Sequence, residues 1–247
     1  MAAGRIRIGI GGWTFEPWRG TFYPEGLRQK DELAYVGEHL TATEINATYY
    51  GTQKPASFAN WAKAVPDGFQ FAVKASRYCT NRRVLAEAGE SIAKFTGQGI
   101  AELGDRLGPI LWQFMPTKKF DAEDFGAFLK LLPASIDGLP LRHALEVRHE
   151  SFDDPTFLAM ARDAGAAVVL TDHDEYPAIR GHDVGFSYAR LMRARESEAT
   201  GYSAKEIDGW ADRARTLSRK GDVYAFFISG AKVRAPAAAQ AMIVALR

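Results

Sequence analysis

The segment Phe69-Gln70-Phe71-Ala72-Val73-Lys74 indicates which kind of fold this chain adopts. Side chains of a β-strand point alternately to the two faces of its sheet. Phe69, Phe71 and Val73 therefore share one face, which suits packing against helices, and Lys74 lies on the opposite face. A strand of this kind, with a charge at its carboxyl end, predicts a helix-covered barrel whose interior carries polar groups at one rim.

Seven further segments resemble strands, and most of them are separated by segments with helical periodicity. The predicted strands cover residues 6–10, 42–46, 69–74, 109–113, 143–147, 166–170, 185–189 and 223–227. The predicted helices cover residues 27–40, 55–64, 85–105, 121–132, 154–164, 203–219 and 235–246. This alternation predicts right-handed βαβ units and a parallel sheet.

Eight strands in a chain of 247 residues predict one α/β domain over residues 1–247, a closed (β/α)8 TIM-type barrel. No linker or low-complexity segment divides the chain. The connection 171–184 is too polar and too interrupted for a regular helix. We therefore expect the sixth βα unit to be irregular.

Composition narrows the class of protein. A net charge of +1 gives no general attraction to nucleic acid or to anionic membranes. No apolar run approaches the roughly 20 residues of a membrane span, and the first residues lack a signal-peptide stretch. Cys79 is the only cysteine, which excludes an internal disulfide and fits a reducing compartment. We expect a cytoplasmic protein without membrane contacts, of undetermined oligomeric state.

Charged and amide side chains end five of the predicted strands. They are Glu44, Asn46, Lys74, Gln113, Glu146, Arg148 and Arg190. Burying such groups without partners costs several kcal/mol each, and (β/α)8 enzymes place their active sites at the carboxyl ends of the strands. The pattern therefore predicts one shared polar site at this end of the barrel.

The charges of this site favour a small anionic partner, a phosphate or a carboxylate. Two glutamates meet three cations, and Arg77, three residues after Lys74, adds a fourth. Arginine donates bidentate hydrogen bonds to such anions. Glu44 and Glu146 are candidate general acid or base groups, and Lys74 completes the candidate catalytic set.

Neutral side chains complete the predicted ligand site. Asn46 and Gln113 are expected to orient the ligand by hydrogen bonds, and Tyr188 shares the inward face of the seventh strand. Trp13 and Tyr49 follow the first two strands. They either stack on a planar or sugar-like ligand or form an apolar cap over the barrel.

The same charges are also consistent with a non-catalytic binding module. In that interpretation Glu146–Arg148 and Glu44–Lys74 are ion pairs that only stabilise the barrel. Lys74 has two interpretations of its own. A lysine on a barrel strand can form a Schiff base, but nearby carboxylates are expected to keep this amine protonated, which favours an electrostatic role.

Asp172-His173-Asp174-Glu175 is the richest cluster of metal-ligating residue types. A divalent metal there would require Asp172 or His173 to meet Glu44 or Glu146, and would indicate a metal-dependent, endonuclease-like enzyme that acts on nucleic acid. The histidines show no repeated ligand spacing, so a solvated loop is favoured. We predict no metal site and no cofactor, with the divalent metal and nucleic acid kept as alternatives.

Long motifs extend from Gly9 to about Phe227. They are Gly11-Gly12-Trp13, Trp18-Arg19-Gly20-Thr21-Phe22-Tyr23-Pro24, Thr43-Glu44-Ile45-Asn46-Ala47-Thr48-Tyr49-Tyr50, Phe69-Gln70-Phe71-Ala72-Val73-Lys74, Leu107-Gly108-Pro109-Ile110-Leu111-Trp112-Gln113-Phe114 and Leu145-Glu146-Val147-Arg148-His149. In this order they resemble the YecE-like family, also called the domain-of-unknown-function 72 family. The resemblance implies a (β/α)8 barrel with a polar pocket at its carboxyl mouth, and it implies no assigned reaction.

The C-terminal third departs from the pattern of that family. Arg190 is followed by Leu191-Met192-Arg193 where the family continues with x-histidine-glycine. After the eighth strand, Ile228-Ser229-Gly230 replaces the family's asparagines and aspartate. These differences remove potential ligands and acid–base groups, so altered specificity or loss of activity is expected.

Overall fold

The computed structural model describes residues 3–179 and 184–247. Its strands are β1 (Ile6–Gly11), β2 (Ala42–Ile45), β3 (Gln70–Lys74), β4 (Leu107–Gln113), β5 (Ser135–Ile136), β6 (Leu139–Pro140), β7 (His143–Glu146), β8 (Ala167–Val168), β9 (Leu170–Thr171), β10 (Phe186–Leu191) and β11 (Asp222–Phe227). Its α-helices are α1 (Glu32–His39), α2 (Ala47–Tyr50), α3 (Pro55–Lys63), α4 (Arg77–Thr80), α5 (Gly89–Thr96), α6 (Ala122–Leu131), α7 (Pro155–Asp163), α8 (Ala204–Ser218) and α9 (Ala235–Ala245).

Nine of the described strands form one sheet in the order β8-β7-β4-β3-β2-β1-β11-β10-β9, and all of their pairings are parallel. Only Val169 separates β8 from β9. Because β8 pairs with β7 and β9 pairs with β10, this interrupted segment joins the two ends of the sheet. The result is a nearly closed TIM-type barrel with helices around it, which confirms the predicted fold class. The remaining strands, β5 and β6, form a small antiparallel hairpin.

The alternation of side chains along the strands separates two apolar clusters, as the segment 69–74 predicts. Phe69, Phe71 and Val73 belong to the large cluster that also contains the buried helix residues. The smaller cluster is Ala42, Ala72, Leu111, Ala144, Ala167, Val169, Phe186, Tyr188, Tyr224 and Phe226. The side chains of these residues point to the opposite face of their strands, towards the barrel interior. Lys74, two residues after Ala72, points to the same face. The polar ends of the strands therefore continue the inward-facing set.

Glycines interrupt the helix predicted over 85–105. The regular part, α5, ends at Thr96, and a 3-10 helix begins only at Ile100. Between them Gly99 has φ 105°, a left-handed conformation that favours glycine, and Gly104, with φ 54°, kinks the 3-10 segment itself. The helical periodicity of the sequence reflects the buried face of this region, but the prediction of one continuous helix was wrong.

The sixth unit is irregular, as predicted. Residues 172–179, 184 and 185 contain no helix in the described part of this connection, and residues 180–183 lie outside the description. None of the described helices is long and apolar enough to span a bilayer.

Candidate ligand-binding site at the mouth of the barrel

A cavity of about 560 Å³ lies at the carboxyl ends of the barrel strands. The predicted site residues on its lining are Trp13, Asn46, Lys74, Gln113, Arg148 and Arg190. They come from the ends of six different strands, so the parallel barrel brings together side chains that are far apart in the sequence. This end of the barrel is where TIM-barrel enzymes carry their active sites.

The backbone of β1 leaves the barrel at this rim. Gly12 has φ 74° and its N–H donates a 2.8 Å hydrogen bond to the carbonyl oxygen of Glu44. This turn carries Trp13 to the edge of the cavity, where its ring packs edge-on against Trp61 with ring centres 5.2 Å apart. The glycine is therefore needed for the turn, because a left-handed φ is costly for other residues.

Arg190 is the centre of the charged network beneath the cavity, and its exposed fraction is only 2%. Its Nε and Nη2 atoms donate to the two carboxylate oxygens of Glu44, each at 3.0 Å. Its Nη1 atom donates to Oε2 of Glu146 at 2.5 Å. Burial lowers the pKa of Arg190, but the charges of Glu146 and Glu44 outweigh burial and raise it above its ordinary value. Arg190 is thus a fixed cation held by two buried carboxylates.

Glu146 is the second buried anion and has three donors. Besides Arg190, it accepts from Nε2 of Gln113 at 3.0 Å and from Nε of Arg148 at 2.7 Å. Burial raises the pKa of Glu146, but the charges of Arg190 and Arg148 and the hydrogen bond from Gln113 overcome this and lower it to about 2. Glu146 is therefore ionised throughout the physiological range.

Of the two ion pairs considered in the sequence interpretation, the structure contains one. The Glu146–Arg148 pair is present, with 2.6 Å between Oε1 and Nη2. The Glu44–Lys74 pair is wrong, because Glu44 pairs with Arg190 and also accepts a 2.7 Å hydrogen bond from the Tyr188 hydroxyl. Glu44 is completely buried, and its oxygens are occupied by groups inside the barrel.

Lys74 ends β3 and has an unusual environment for a lysine. Its exposed fraction is 7%, and it forms no ion pair with any carboxylate in the described residues. Its Nζ atom lies 4.0 Å from the ring centre of Tyr49, a cation–π contact. Burial and the charge of Arg190 lower its pKa to about 8, against the opposing effects of Glu44 and Glu146. The carboxylates favour the protonated amine, as the sequence interpretation expects, but they do not outweigh burial and Arg190.

Lys232 is a second cation on the lining, and the sequence interpretation missed it. It begins a short 3-10 helix after β11, and its Nζ atom lies 4.5 Å from the ring centre of Phe15. It too forms no ion pair within residues 3–179 and 184–247, and burial lowers its pKa. Its position after the eighth strand was the available signal, because TIM barrels often bind phosphate with the loops after their last two strands.

Arg148 is held from the side by a residue of the sixth loop, Tyr176, which was also missed. The Arg148 Nη1 atom donates to the Tyr176 hydroxyl at 3.2 Å, and the guanidinium carbon lies 4.5 Å from the ring centre. This contact fixes the guanidinium over the mouth. The Tyr176 ring is stacked on His173 at 3.8 Å, so this part of the predicted solvated loop is ordered around Arg148.

Five other predicted site residues lie off the cavity lining. Glu44, Glu146 and Tyr188 are beneath it, and Tyr49 supports Lys74 and accepts a 3.0 Å hydrogen bond from Asn81. Arg77 is exposed on α4 and donates to the hydroxyl of Tyr78. The geometry thus does not place Arg77 with the other cations.

The Asp172–Glu175 segment does not meet the glutamates as the metal alternative requires. Asp172 accepts from the backbone N–H of Met192 at 2.5 Å and from the Tyr202 hydroxyl at 2.8 Å. Glu44 and Glu146 face Arg190 instead. Among the described residues, no group of three histidine, cysteine, aspartate or glutamate side chains is arranged to hold a metal ion.

Comparisons with known proteins agree with this architecture. The chain is 26% identical over 157 residues to the UPF0759 protein YunF of Bacillus subtilis (strain 168), a match that spans 62% of this chain and 54% of that relative. A crystal structure of a DUF72 family protein from Thermotoga maritima MSB8 superposes with a TM-score of 0.76 at 25% identity, covering 97% of each chain. A DUF72 family protein from Enterococcus faecalis V583 gives 0.75 at 20% identity over 98% of this chain and 95% of that one, which shows the fold alone.

The model of one protein family matches residues 7–247, almost the whole chain, and that family is described as "Protein of unknown function DUF72". The motifs, the barrel and the family model agree, and the chain belongs to the YecE-like DUF72 family.

Proposed function

We propose that this protein binds a small anionic metabolite, one that carries a phosphate or a carboxylate, at the carboxyl mouth of its barrel. One observation carries the proposal. The charged residues on the cavity lining are Lys74, Arg148, Arg190 and Lys232, and none of the described lining residues is acidic. The two glutamates beneath the lining balance only half of these cations.

The unbalanced charge belongs to the two lysines. Arg190 and Arg148 are paired with Glu44 and Glu146, whereas Lys74 and Lys232 are stabilised by aromatic rings. Withdrawing a charge from water without an ionic partner is costly, and the interaction between charges strengthens where water is excluded. An anion in the cavity would offset this cost. The same arrangement would reject a cationic ligand.

Each lining residue then has a definite role. Lys74 and Lys232 contact the anion, because they are the cations on the lining without a carboxylate partner, and Arg148 adds the N–H groups that Glu146 does not occupy. Asn46 and Gln113 orient the ligand: the Gln113 amide N–H group donates to Glu146, and its oxygen accepts no bond from a described residue. Trp13 supplies an apolar side.

The contacts favour a positioning role for the buried carboxylates. Glu44 and Glu146 hold the guanidinium groups, and Tyr188 holds Glu44. Direct acid–base roles for the two glutamates stay predictions from the sequence. A ligand-binding role for Arg77 also stays a prediction, and it is not part of this proposed site.

The alternative of metal-dependent nucleic-acid processing requires ligands that the described side chains do not bring together. We therefore prefer a small anion as the ligand.

Isothermal titration calorimetry with phosphate, pyruvate, malonate and glycerol phosphate tests the proposal. We expect binding by at least one of these anions, with at least about tenfold weaker affinity in Arg148→Ala and in Lys232→Ala. Arg28→Ala is the matched control, because Arg28 is an exposed arginine with its own aspartate partner. The absence of binding by the whole panel, or equal affinity in all variants, would contradict the proposal.

A further inference from the structure

Lys74 differs from the other cations at the barrel mouth in a chemically useful way. Both arginines are tied to carboxylates, whereas the Lys74 amine lines the cavity with a tyrosine ring as its neighbour. An amine becomes a nucleophile only when it is neutral, reachable and free of a fixed ionic partner. The geometry at the end of β3 meets the last two conditions.

We propose that Lys74 is a catalytic nucleophile that forms an imine with an aldehyde or ketone substrate bearing a phosphate or carboxylate group. The inference deepens the proposed function and rests on it, because the cationic lining has to bring the anionic carbonyl compound into the cavity. It specifies both the reacting atom of the protein, Nζ of Lys74, and the substrate class.

The charges around Lys74 make its neutral form accessible. Burial disfavours the protonated amine most, and Arg190 on β10 and Arg148 after β7 act in the same direction, whereas Glu44 on β2 and Glu146 on β7 favour protonation. At a pKa of about 8, roughly a tenth of the amine is neutral at pH 7. For an ordinary lysine amine the neutral fraction at that pH is only about 0.04%.

Tyr49 on α2 positions the amine. Its ring centre lies 4.0 Å from Nζ, so the side chain is held in place without an ion pair to a carboxylate. No acidic group of the described cavity lining competes for this position. The Tyr49 ring is in turn fixed by the hydrogen bond from Asn81 to its hydroxyl.

The step balances without an external oxidant or reductant. The lone pair of the neutral Lys74 amine forms a bond to the carbonyl carbon, and one proton passes from the nitrogen to the former carbonyl oxygen to give a neutral carbinolamine. The remaining N–H proton then passes to the hydroxyl oxygen as the carbon–oxygen bond breaks, so that one water molecule leaves. The product is an imine between Nζ and the former carbonyl carbon, and its hydrolysis by water reverses the sequence.

Reductive trapping tests this proposal on the folded protein. Pyruvate, glyoxylate and glyceraldehyde 3-phosphate are incubated separately with the protein and sodium cyanoborohydride, with propanal as the neutral carbonyl compound. Peptide mass spectrometry then gives the labelling rate of each lysine. We expect Lys74 to be labelled at least about tenfold faster than Lys205, an exposed lysine on α8, by at least one anionic carbonyl compound.

Three comparisons make this result specific. Lys74→Arg keeps the positive charge and should lose the fast-labelled site, while Lys205→Arg should leave it unchanged. Lys232→Gln should slow labelling by the anionic compounds more than labelling by propanal. Labelling of Lys74 should rise between pH 6 and pH 8, following its neutral fraction. Circular dichroism confirms that each variant is folded.

The two proposals fail in different ways. If calorimetry shows anion binding that depends on Arg148, but Lys74 is labelled no faster than Lys205, the imine is wrong and the anion site stands. If Lys74 reacts equally fast with propanal and with the anionic compounds, and calorimetry shows no anion binding, the anionic substrate class and the proposed function are both wrong.

Discussion

Arg190 and Glu44 form a fully buried bidentate ion pair across the interior of the barrel, with both hydrogen bonds at 3.0 Å. Their strands, β10 and β2, are separated in the sheet by β11 and β1. Desolvation of two charges is expensive, and it is offset only where geometry and further hydrogen bonds are good. Here Tyr188 and Glu146 complete the set. The pair therefore fixes the polar floor on which the cavity rests.

Replacement of Arg190 by methionine should strongly destabilise the fold. The change leaves Glu44 buried without its cation and removes one of the two cations next to Glu146, so we expect the free energy of unfolding to fall by about 3–5 kcal/mol. Urea unfolding followed by circular dichroism measures the loss. Arg28→Met, which removes an exposed pair, should cost less than about 1 kcal/mol. Equal losses in the two variants would mean that the buried network contributes little to stability.

The free energy of unfolding at acidic pH should depend on Glu146. Its pKa of about 2 in the folded protein lies below the ordinary 4.5, so its contribution is complete above the unfolded pKa and disappears as pH falls from about 5 to about 2. Glu146→Gln should therefore be less stable than the wild type at pH 7, and the difference should narrow as the pH is lowered through this window. Unfolding free energies at a series of pH values measure it.

Glu150→Gln, at an exposed position shortly after β7, is the control for this profile. Its pH dependence should follow the wild type closely. A Glu146→Gln curve parallel to the wild-type curve between pH 5 and pH 2 would show that the pKa of Glu146 is not lowered by folding.

Replacement of Lys74 by methionine should stabilise the protein at neutral pH while weakening anion binding. The folded-state pKa of about 8 lies below the ordinary 10.5, so folding disfavours the charged amine at pH values below 8. This penalty disappears as the pH rises from about 8 to above 10. We expect a gain of about 1–3 kcal/mol at pH 7 that shrinks towards pH 10.

Chemical unfolding at pH 7 and at pH 9.5 measures the gain from Lys74→Met, with the exposed Lys205→Met as the control. A stabilised variant with impaired binding is expected of a functional site, where charges are retained at a cost in stability. If the methionine variant is less stable than the wild type at both pH values, the charged amine of Lys74 does not lower the stability of the folded protein.

Removal of the Tyr188 hydroxyl should cost stability through Glu44. The hydroxyl donates a 2.7 Å hydrogen bond to a buried carboxylate, and hydrogen bonds to charged groups contribute about 1.5–3 kcal/mol. Tyr188→Phe should therefore lower the free energy of unfolding by an amount in this range. Tyr78→Phe, at an exposed tyrosine, should change it by less than about 0.5 kcal/mol. If Tyr188→Phe leaves the free energy of unfolding unchanged, Arg190 alone satisfies the carboxylate of Glu44.

The sequence was sufficient to predict the fold and the end of the barrel at which the polar groups meet. In the segment 69–74, alternation placed Phe71 outward and Lys74 inward, and the structure has both orientations. This succeeds because strand parity is a local property of the chain. The continuous helix over 85–105 failed because left-handed glycines interrupted a pattern whose apolar spacing was correct.

The sequence by itself determined the barrel, the family and the gathering of charged side chains at one end of parallel strands. Only the tertiary structure decided which charges pair: Glu44 meets Arg190 rather than Lys74, and Lys232 enters the cavity from the last loop. Parity says which face a side chain occupies, but distances across a closed barrel depend on where the strands end and how the sheet closes. The lowered pKa of Lys74 follows from its burial and from those distances, and so it belongs to the fold and not to the sequence motif.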